Sequence, residues 1–145
     1  INKVFIVLCY FEKKIIMIQK PLNSVKKFHN AFNIDVANSP TIKLEDAKIE
    51  LRHKLMQEEN EEYLIAAKNN DLVEVADALG DMLYILCGTI LTHGMQFKIE
   101  EVFDAIQESN MSKLGKNGKP IYREDGKVLK GPNYFKPDIK KIFSK

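Results

Sequence analysis

Three glutamates in one short segment have the spacing of side chains that act together. Glu58, Glu59 and Glu62 form the pattern EExxE within QEENEEYLIAAK. At about 100° per residue in a helix, Glu58 and Glu62 fall on the same stripe as Leu55 and Ile65, and Glu59 flanks it. The acidic side chains are therefore expected to continue an apolar face.

A second group of acids follows an 11-residue gap and lies in a strongly apolar segment. Glu74, Asp77 and Asp81 lie within about 60° of one another on a helix. Apolar side chains cover nearly all other directions of the segment 72–92. A helix that is apolar all round is buried, so these three acids are also expected to point into the protein.

Buried carboxylates repel one another unless something compensates their charge. Two carboxylates about 5 Å apart repel by roughly 3 kcal/mol at an effective dielectric of about 20, before the cost of desolvation is added. Protonation, a buried Lys or Arg, or divalent cations could compensate, and neither helix places a cation on the relevant stripe. Hard oxygen ligands without His or Cys favour Mg²⁺ or Mn²⁺. The two clusters together favour a metal site over a solvated acidic surface.

Four helical segments must position these acids. The apolar periodicity predicts an all-α fold, a four-helix-type bundle with a short C-terminal flap. Asn23 and Ser24 are the predicted caps of the first helix, and an Asp125-Gly126 turn signal is typical of a small hairpin in the flap. The predicted helices cover about residues 22–32, 43–68, 72–92 and 98–113.

Composition and charge restrict the class of protein. With 145 residues, 45% hydrophobic and 29% charged, we expect one domain, over residues 17–145. The net charge of +2 points to no particular partner, although residues 45–81 hold 11 acids and 4 bases and residues 113–145 hold 3 acids and 10 bases. Cys9 and Cys87 lack metal or redox spacing, so we expect no disulfide and a cytoplasmic location.

The first 16 residues differ from the rest. Their apolar run, Val4 to Phe11, is too short to span a bilayer and lacks a small-residue cleavage site. Residues 1–16 are therefore interpreted as an N-terminal extension, either a strand or sequence upstream of the domain. No membrane partner is expected.

Taken in order, these segments resemble a known family. EExxE, then Glu74 and Asp77 as ExxD, resemble the signature of the all-α nucleoside triphosphate pyrophosphohydrolases, the MazG-like superfamily. Residues 20–139 are most similar to its phosphoribosyl-ATP-pyrophosphohydrolase-like branch. Four further segments carry this resemblance: FHNAF, ADALGDMLYILCGT, VFDAIQESNMSK and GKPIYREDGKVLKGPNYFKPDI.

The resemblance implies an activity and a site. Acidic side chains from two helices of such enzymes hold Mg²⁺ ions that bind the triphosphate and activate a water, releasing pyrophosphate and a monophosphate. By position, Glu59 and Glu62 are metal ligands, and Glu58 is a ligand or the base that orients the water. Glu58 and Glu59 are the implied catalytic residues. The opposing ligands are Glu74, Asp77 and Asp81.

One departure from the family pattern leaves the acidic register open. MazG proteins usually have ELGD where this chain has Ala78-Leu79-Gly80-Asp81. Either Glu74 and Asp77 are the ExxD pair, or Asp81 is the matching aspartate and Asp77 replaces the missing glutamate. We expect Asp77 and Asp81 to share the site with Glu74.

Four further residues are candidates for substrate binding. Asn110 and Lys113 lie at the inward end of the fourth helix, although a Lys there could equally interact with the helix dipole. Lys130 and Tyr134 lie on the flap, where a lysine suits phosphate as a point charge. Scattered surface lysines are common, so the assignment depends on tertiary contacts.

The sequence also carries partial features of other functions. Phosphoribosyl-ATP hydrolysis uses similar acids. A di-iron bundle needs two ExxH motifs, and only Glu50 and His53 form one. A non-catalytic nucleotide- or nucleic-acid-binding module is weakly supported, because the basic tail lacks recognition-helix spacing. The expected partners are a nucleotide substrate and a second copy of the chain, as homodimer or tetramer, without a stable nucleic-acid partner.

Overall fold

The computed structural model describes residues 18–144, and this range is helical. The all-α prediction is confirmed there, with no strand in the described range beyond an isolated antiparallel bridge between Tyr122 and Val128. Residues 1–16, interpreted above as a strand or upstream sequence, lie outside the described residues. The described helices are α1 (Gln19–Ala31), α2 (Asp46–Lys68), α3 (Leu72–Thr92), α4 (Ile99–Met111) and α5 (Ile139–Phe143).

The chain divides into two compact units between Gln96 and Phe97. In the N-terminal unit, α3 packs against both α1 and α2, and in the C-terminal unit α4 packs against α5. The predicted single domain over residues 17–145 stays a prediction.

Helix α1 begins earlier than its sequence suggested. The helix starts at Gln19, and its N-cap residue, Ile18, makes no side-chain capping bond. The prediction that Asn23 and Ser24 cap it is wrong, since both lie inside the helix. Pro21 occupies the first turn, where its missing N–H costs no helical hydrogen bond.

The core of the N-terminal unit lies between α1 and the second half of α3. Leu22, Val25 and His29 recur on one face of α1 and are at most 2% exposed. They are matched by Cys87 and Leu91 of α3, which are at most 1% exposed. Cys87 is a free thiol, whereas Cys9 lies outside the described residues.

Helix α3 ends at Thr92, where the sequence predicted, and a glycine follows the helix end. Gly94 has a φ of +66°, and the N–H of Met95 donates to the carbonyl of Ile90 at 2.9 Å. This pairing, with Gly94 N donating to the Leu91 carbonyl at 3.1 Å, satisfies carbonyls at the helix end and is a Schellman motif.

The segment between α1 and α2 is held against this helix end. Ala37 N donates to the carbonyl of Leu91 and Thr41 N to that of His93, each at 3.0 Å. The Gln96 side chain donates to the Ala37 carbonyl at 2.8 Å. The connection is therefore fixed at several points by backbone hydrogen bonds.

The first half of α3 is buried on one side only, at Ala78. Leu72 is 80% exposed, Val73 74% and Leu79 51%. The prediction that an all-round apolar helix is buried is wrong for this half, because α1 and α2 leave one side uncovered. By length and composition α3 could cross a membrane, a criterion that core helices of soluble proteins also meet.

The C-terminal unit carries the predicted turn. Arg123 N donates to the Lys127 carbonyl at 2.8 Å, and Leu129 N donates to the Ile121 carbonyl at 2.7 Å. Gly126 has a φ of +83°, a conformation that glycine adopts without strain. The two sides of the turn pair as a short hairpin, and α5, which was not predicted, follows it.

Candidate active site

A three-residue turn brings the two acidic helices side by side. Helix α2 ends at Lys68 and α3 begins at Leu72, and Asn70 adopts a φ of +57° between them. Asp71 caps α3, because its side chain accepts from the backbone N–H groups of Val73 and Glu74. The carboxylates of one helix therefore face those of the other across a tight connection.

Glu59 is at the centre of the acidic cluster. Its side chain is half-buried, and its Oε2 atom is inaccessible and has no hydrogen-bond partner in the part of the chain that the structure describes. Burial and the neighbouring charges raise the pKa of Glu59 above its ordinary value. After burial, the neighbours responsible are Glu62, Asp81, Asp77 and Glu58, in decreasing order of effect.

The inward face of α2 differs from the predicted one. Ile65 is 60% exposed and Leu51 52% exposed, and Glu58 and Glu62 are exposed as well. The protected side chains instead recur at Leu55, Glu59 and Ala66. The predicted stripe is therefore off-centre, because which side of α2 is covered depends on where α3 packs.

Glu74 lies at the other end of the cluster. Together with Glu62 it lines an open cavity of about 330 Å³ near the turn between α2 and α3. Asn69 and Asp71 also line this cavity. The charges of Asp77 and Asp81 raise the pKa of Glu59, whereas Glu74 shares the lining of the cavity with Glu62.

Little positive charge offsets this cluster. Lys54 Nζ lies 3.7 Å from Glu58 Oε1 in an exposed pair on α2, and such pairs contribute little. The cluster consists of carboxylates, the ligand type that Mg²⁺ and Mn²⁺ prefer. Residues 18–144 contain no set of three His, Cys, Asp or Glu side chains already arranged to hold a metal ion. The fit to a metal thus rests on donor type, proximity and the unpaired Glu59 oxygen.

The four candidate substrate-binding residues are grouped in the C-terminal unit. Lys113 Nζ donates to Asn110 Oδ1 at 2.7 Å, and Lys130 Nζ lies 4.5 Å from the centre of the Tyr134 ring. Gly131 N donates to the Lys113 carbonyl at 2.9 Å. Lys130 directly precedes Gly131 in the chain. This bond therefore places Lys130 and Lys113 on neighbouring segments of the C-terminal unit.

Two features of the N-terminal unit could not be inferred from the sequence pattern. Asn69 and Asp71 line the cavity beside Glu62. No motif in the sequence indicated this position. Arg52 is half-buried beside His29. His29 is packed, at 2% exposure.

Comparison with known proteins identifies the family. The family described as phosphoribosyl-ATP pyrophosphohydrolase matches residues 25–110. No curated protein matches the chain. One similar solved structure is that of a proposed NTP pyrophosphohydrolase from Exiguobacterium sp. 255-15, with 26% identity, coverage of 86% of this chain and 92% of that chain, and a TM-score of 0.45, too low to support structural inference. The family match confirms the resemblance noted in the sequence: the chain belongs to the phosphoribosyl-ATP pyrophosphohydrolase family of nucleotide pyrophosphohydrolases.

Proposed function

We propose that this protein is a Mg²⁺-dependent pyrophosphohydrolase that cleaves a nucleoside or deoxynucleoside triphosphate, or a related nucleotide, to a monophosphate and pyrophosphate. The observation that carries the proposal is the unpaired, inaccessible Oε2 atom of Glu59 among four neighbouring carboxylates. Family membership supports the type of bond that is cleaved.

The carboxylates have distinct roles in this proposal. Glu59, Glu62, Asp77 and Asp81 would hold Mg²⁺, with Glu74 beside Glu62 at the cavity. When bound, Mg²⁺ would neutralise charge on the phosphates and make the attacking water more acidic. Mn²⁺ is expected to substitute because it accepts the same oxygen ligands.

Side chains of the chain itself accept the proton that the attacking water releases. Glu58 is exposed at the edge of the cluster, where its carboxylate can accept a proton from a water that attacks the α-phosphorus. The bond between the α-phosphorus and the bridging oxygen breaks, and pyrophosphate leaves. Glu59 orients the same water from the protected side.

Hydrolysis in ¹⁸O-water tests the proposal directly. We expect a panel of nucleoside triphosphates to yield pyrophosphate only when Mg²⁺ or Mn²⁺ is present, with the label in the monophosphate. Glu59→Gln should lower turnover at least about 100-fold without unfolding the protein. Glu61→Gln is the matched control, because Glu61 accepts from Gln57 at 2.8 Å and does not contribute to the Glu59 cluster. Full activity in EDTA, or label only in orthophosphate, refutes the mechanism.

A second substrate is favoured by the family match. Phosphoribosyl-ATP contains the same triphosphate chain, and the matching family is described by its hydrolysis. Including phosphoribosyl-ATP in the panel separates this alternative from triphosphate substrates. Binding of a nucleotide or of nucleic acid without release of pyrophosphate would indicate a non-catalytic module instead.

A further inference from the structure

A second polar group lies in the N-terminal unit, where α1, α2 and α3 meet. It consists of His29, Arg52 and Gly88. A Cβ atom placed on Gly88 would lie 2.6 Å from an Arg52 guanidinium nitrogen and 3.0 Å from His29 Nε2. The guanidinium and the imidazole edge therefore pack against α3 at the same point, and the absence of a side chain at residue 88 lets both approach the helix.

The two side chains differ in their partners: the His29 ring interacts with the backbone of Asp35, whereas Arg52 has no carboxylate partner among residues 18–144. His29 is 2% exposed, and its Nδ1 atom has no hydrogen-bond partner within the described range. Arg52 is half-buried, and none of the ion pairs among residues 18–144 includes it. Burial lowers the pKa of Arg52, and burial also lowers that of His29. A desolvated guanidinium without a carboxylate is costly unless an anion pairs with it.

The position of Arg52 relates this group to the acidic cluster. Arg52 and Glu59 are seven residues apart on α2, about two helical turns, so they project from the same side of the helix roughly 10 Å apart along its axis. On α3, Gly88 and Asp81 have the same seven-residue spacing. An extended ligand lying along this side of α2 could therefore reach the acidic cluster at one end and Arg52 at the other.

We propose that Arg52, held beside His29, forms a subsite for the terminal phosphate oxygens of the substrate, the part that leaves as pyrophosphate. The proposal rests on the proposed function. A guanidinium offers two parallel N–H donors that match phosphate oxygens, and His29 lies beside it. A neutral nucleobase would leave the charge of Arg52 uncompensated, so the phosphate end is the better match.

Binding measured by calorimetry with Mg²⁺ tests the subsite apart from turnover. The probes are inorganic pyrophosphate and the monophosphate product of the best substrate in the panel. Arg52→Gln should weaken pyrophosphate binding roughly ten- to hundredfold and leave monophosphate binding unchanged. Lys27→Gln removes the same charge from an exposed position on α1 and should alter neither affinity.

A second variant guards against misfolding. Gly88→Ala places a methyl group 2.6 Å from the flexible end of Arg52 and 3.0 Å from the buried His29 ring, so it should displace the guanidinium and weaken pyrophosphate binding, and a thermal melt checks that the variant remains folded. Unchanged pyrophosphate affinity in both variants overturns the subsite. Weaker monophosphate binding with unchanged pyrophosphate binding overturns it as well, and assigns the group to the base. Absence of hydrolysis by the wild type overturns the proposed function itself.

Discussion

At the scale of single residues, Glu59 combines two properties that oppose each other. Its carboxylate is partly withdrawn from water and has four acidic neighbours, so its charge is destabilising while no cation is bound. The same arrangement offers a cation several oxygen ligands at once. A residue that lowers stability in the empty protein can therefore raise affinity for metal, because both effects follow from the same repulsion.

This opposition predicts a pH-dependent stability in EDTA. The pKa of Glu59 is raised in the folded state above its ordinary value of 4.5, so the folded protein holds this proton when the unfolded chain has released it. The free energy of unfolding therefore falls as the pH rises from 4.5 through the folded pKa, and stays lower above it. Thermal melts across this pH range should show that the melting temperature falls more steeply with rising pH for the wild type than for Glu59→Gln.

Added metal should affect the melting temperatures of the wild type and of Glu59→Gln differently. At pH 7 in EDTA, Glu59→Gln should melt at a higher temperature than the wild type, and added Mg²⁺ should stabilise the wild type more. Glu61→Gln should follow the wild type in both conditions, since Glu61 is paired with Gln57. Equal Mg²⁺ stabilisation of all three proteins would mean that Glu59 does not bind the ion.

At the scale of elements, the end of α3 fixes the connection between α1 and α2. The left-handed conformation of Gly94 turns the chain back on the helix, and a Cβ atom there would lie 2.1 Å from the carbonyl oxygen of Ser39. The hydrogen bonds from Ala37 and Thr41 depend on this close approach. One glycine thus holds the linker that leads into the acidic helix α2.

Two glycine substitutions separate this effect from helix propensity. Gly94→Ala should reduce the free energy of unfolding by about 1–3 kcal/mol for the backbone conformation, and further for the contact with Ser39. Gly80→Ala lies within α3 with no atom of the chain within 4 Å of the new Cβ, and should stabilise by about 1 kcal/mol. Urea denaturation of both variants measures the difference. An unchanged free energy of unfolding in Gly94→Ala would show that Gly94 does not fix the connection between α1 and α2.

At the scale of the whole molecule, the exposed apolar side chains need a partner. Leu72 and Val73 of α3 and Ile65 of α2 are each at least 60% exposed, and they surround the turn beside the acidic cluster. Apolar patches of this kind on a soluble protein mark interaction surfaces. A second copy of the chain is the partner we propose, since the patch is unfavourable in a monomer.

Light scattering tests this assembly. We expect a mass of at least twice 16.7 kDa at micromolar concentration, as a dimer or tetramer. Leu79→Lys, which introduces a charge on the exposed side of α3, should shift the mass toward a monomer. Asn30→Lys adds the same charge at an exposed polar position on α1 and should leave the mass unchanged. A monomeric wild type would contradict the proposal.

The sequence by itself determined the extent of α3 and the acidic motif. The limits of α3 follow from the Asp71 cap and Gly94, because local capping chemistry decides where a helix begins and ends. The EExxE spacing placed Glu58, Glu59 and Glu62 on neighbouring turns, a consequence of helical geometry alone. Motif order along residues 20–139 was also sufficient to indicate the family.

Only the tertiary structure decided which acid is protected. Periodicity gave a stripe through Glu58 and Glu62, but the contact with α3 covers Glu59, because the buried side of a helix is set by its neighbour. The meeting of His29, Arg52 and Gly88 was equally invisible, since it joins three helices through contacts between residues far apart in sequence. Local rules fix where helices lie along the chain, whereas packing fixes which side chains meet.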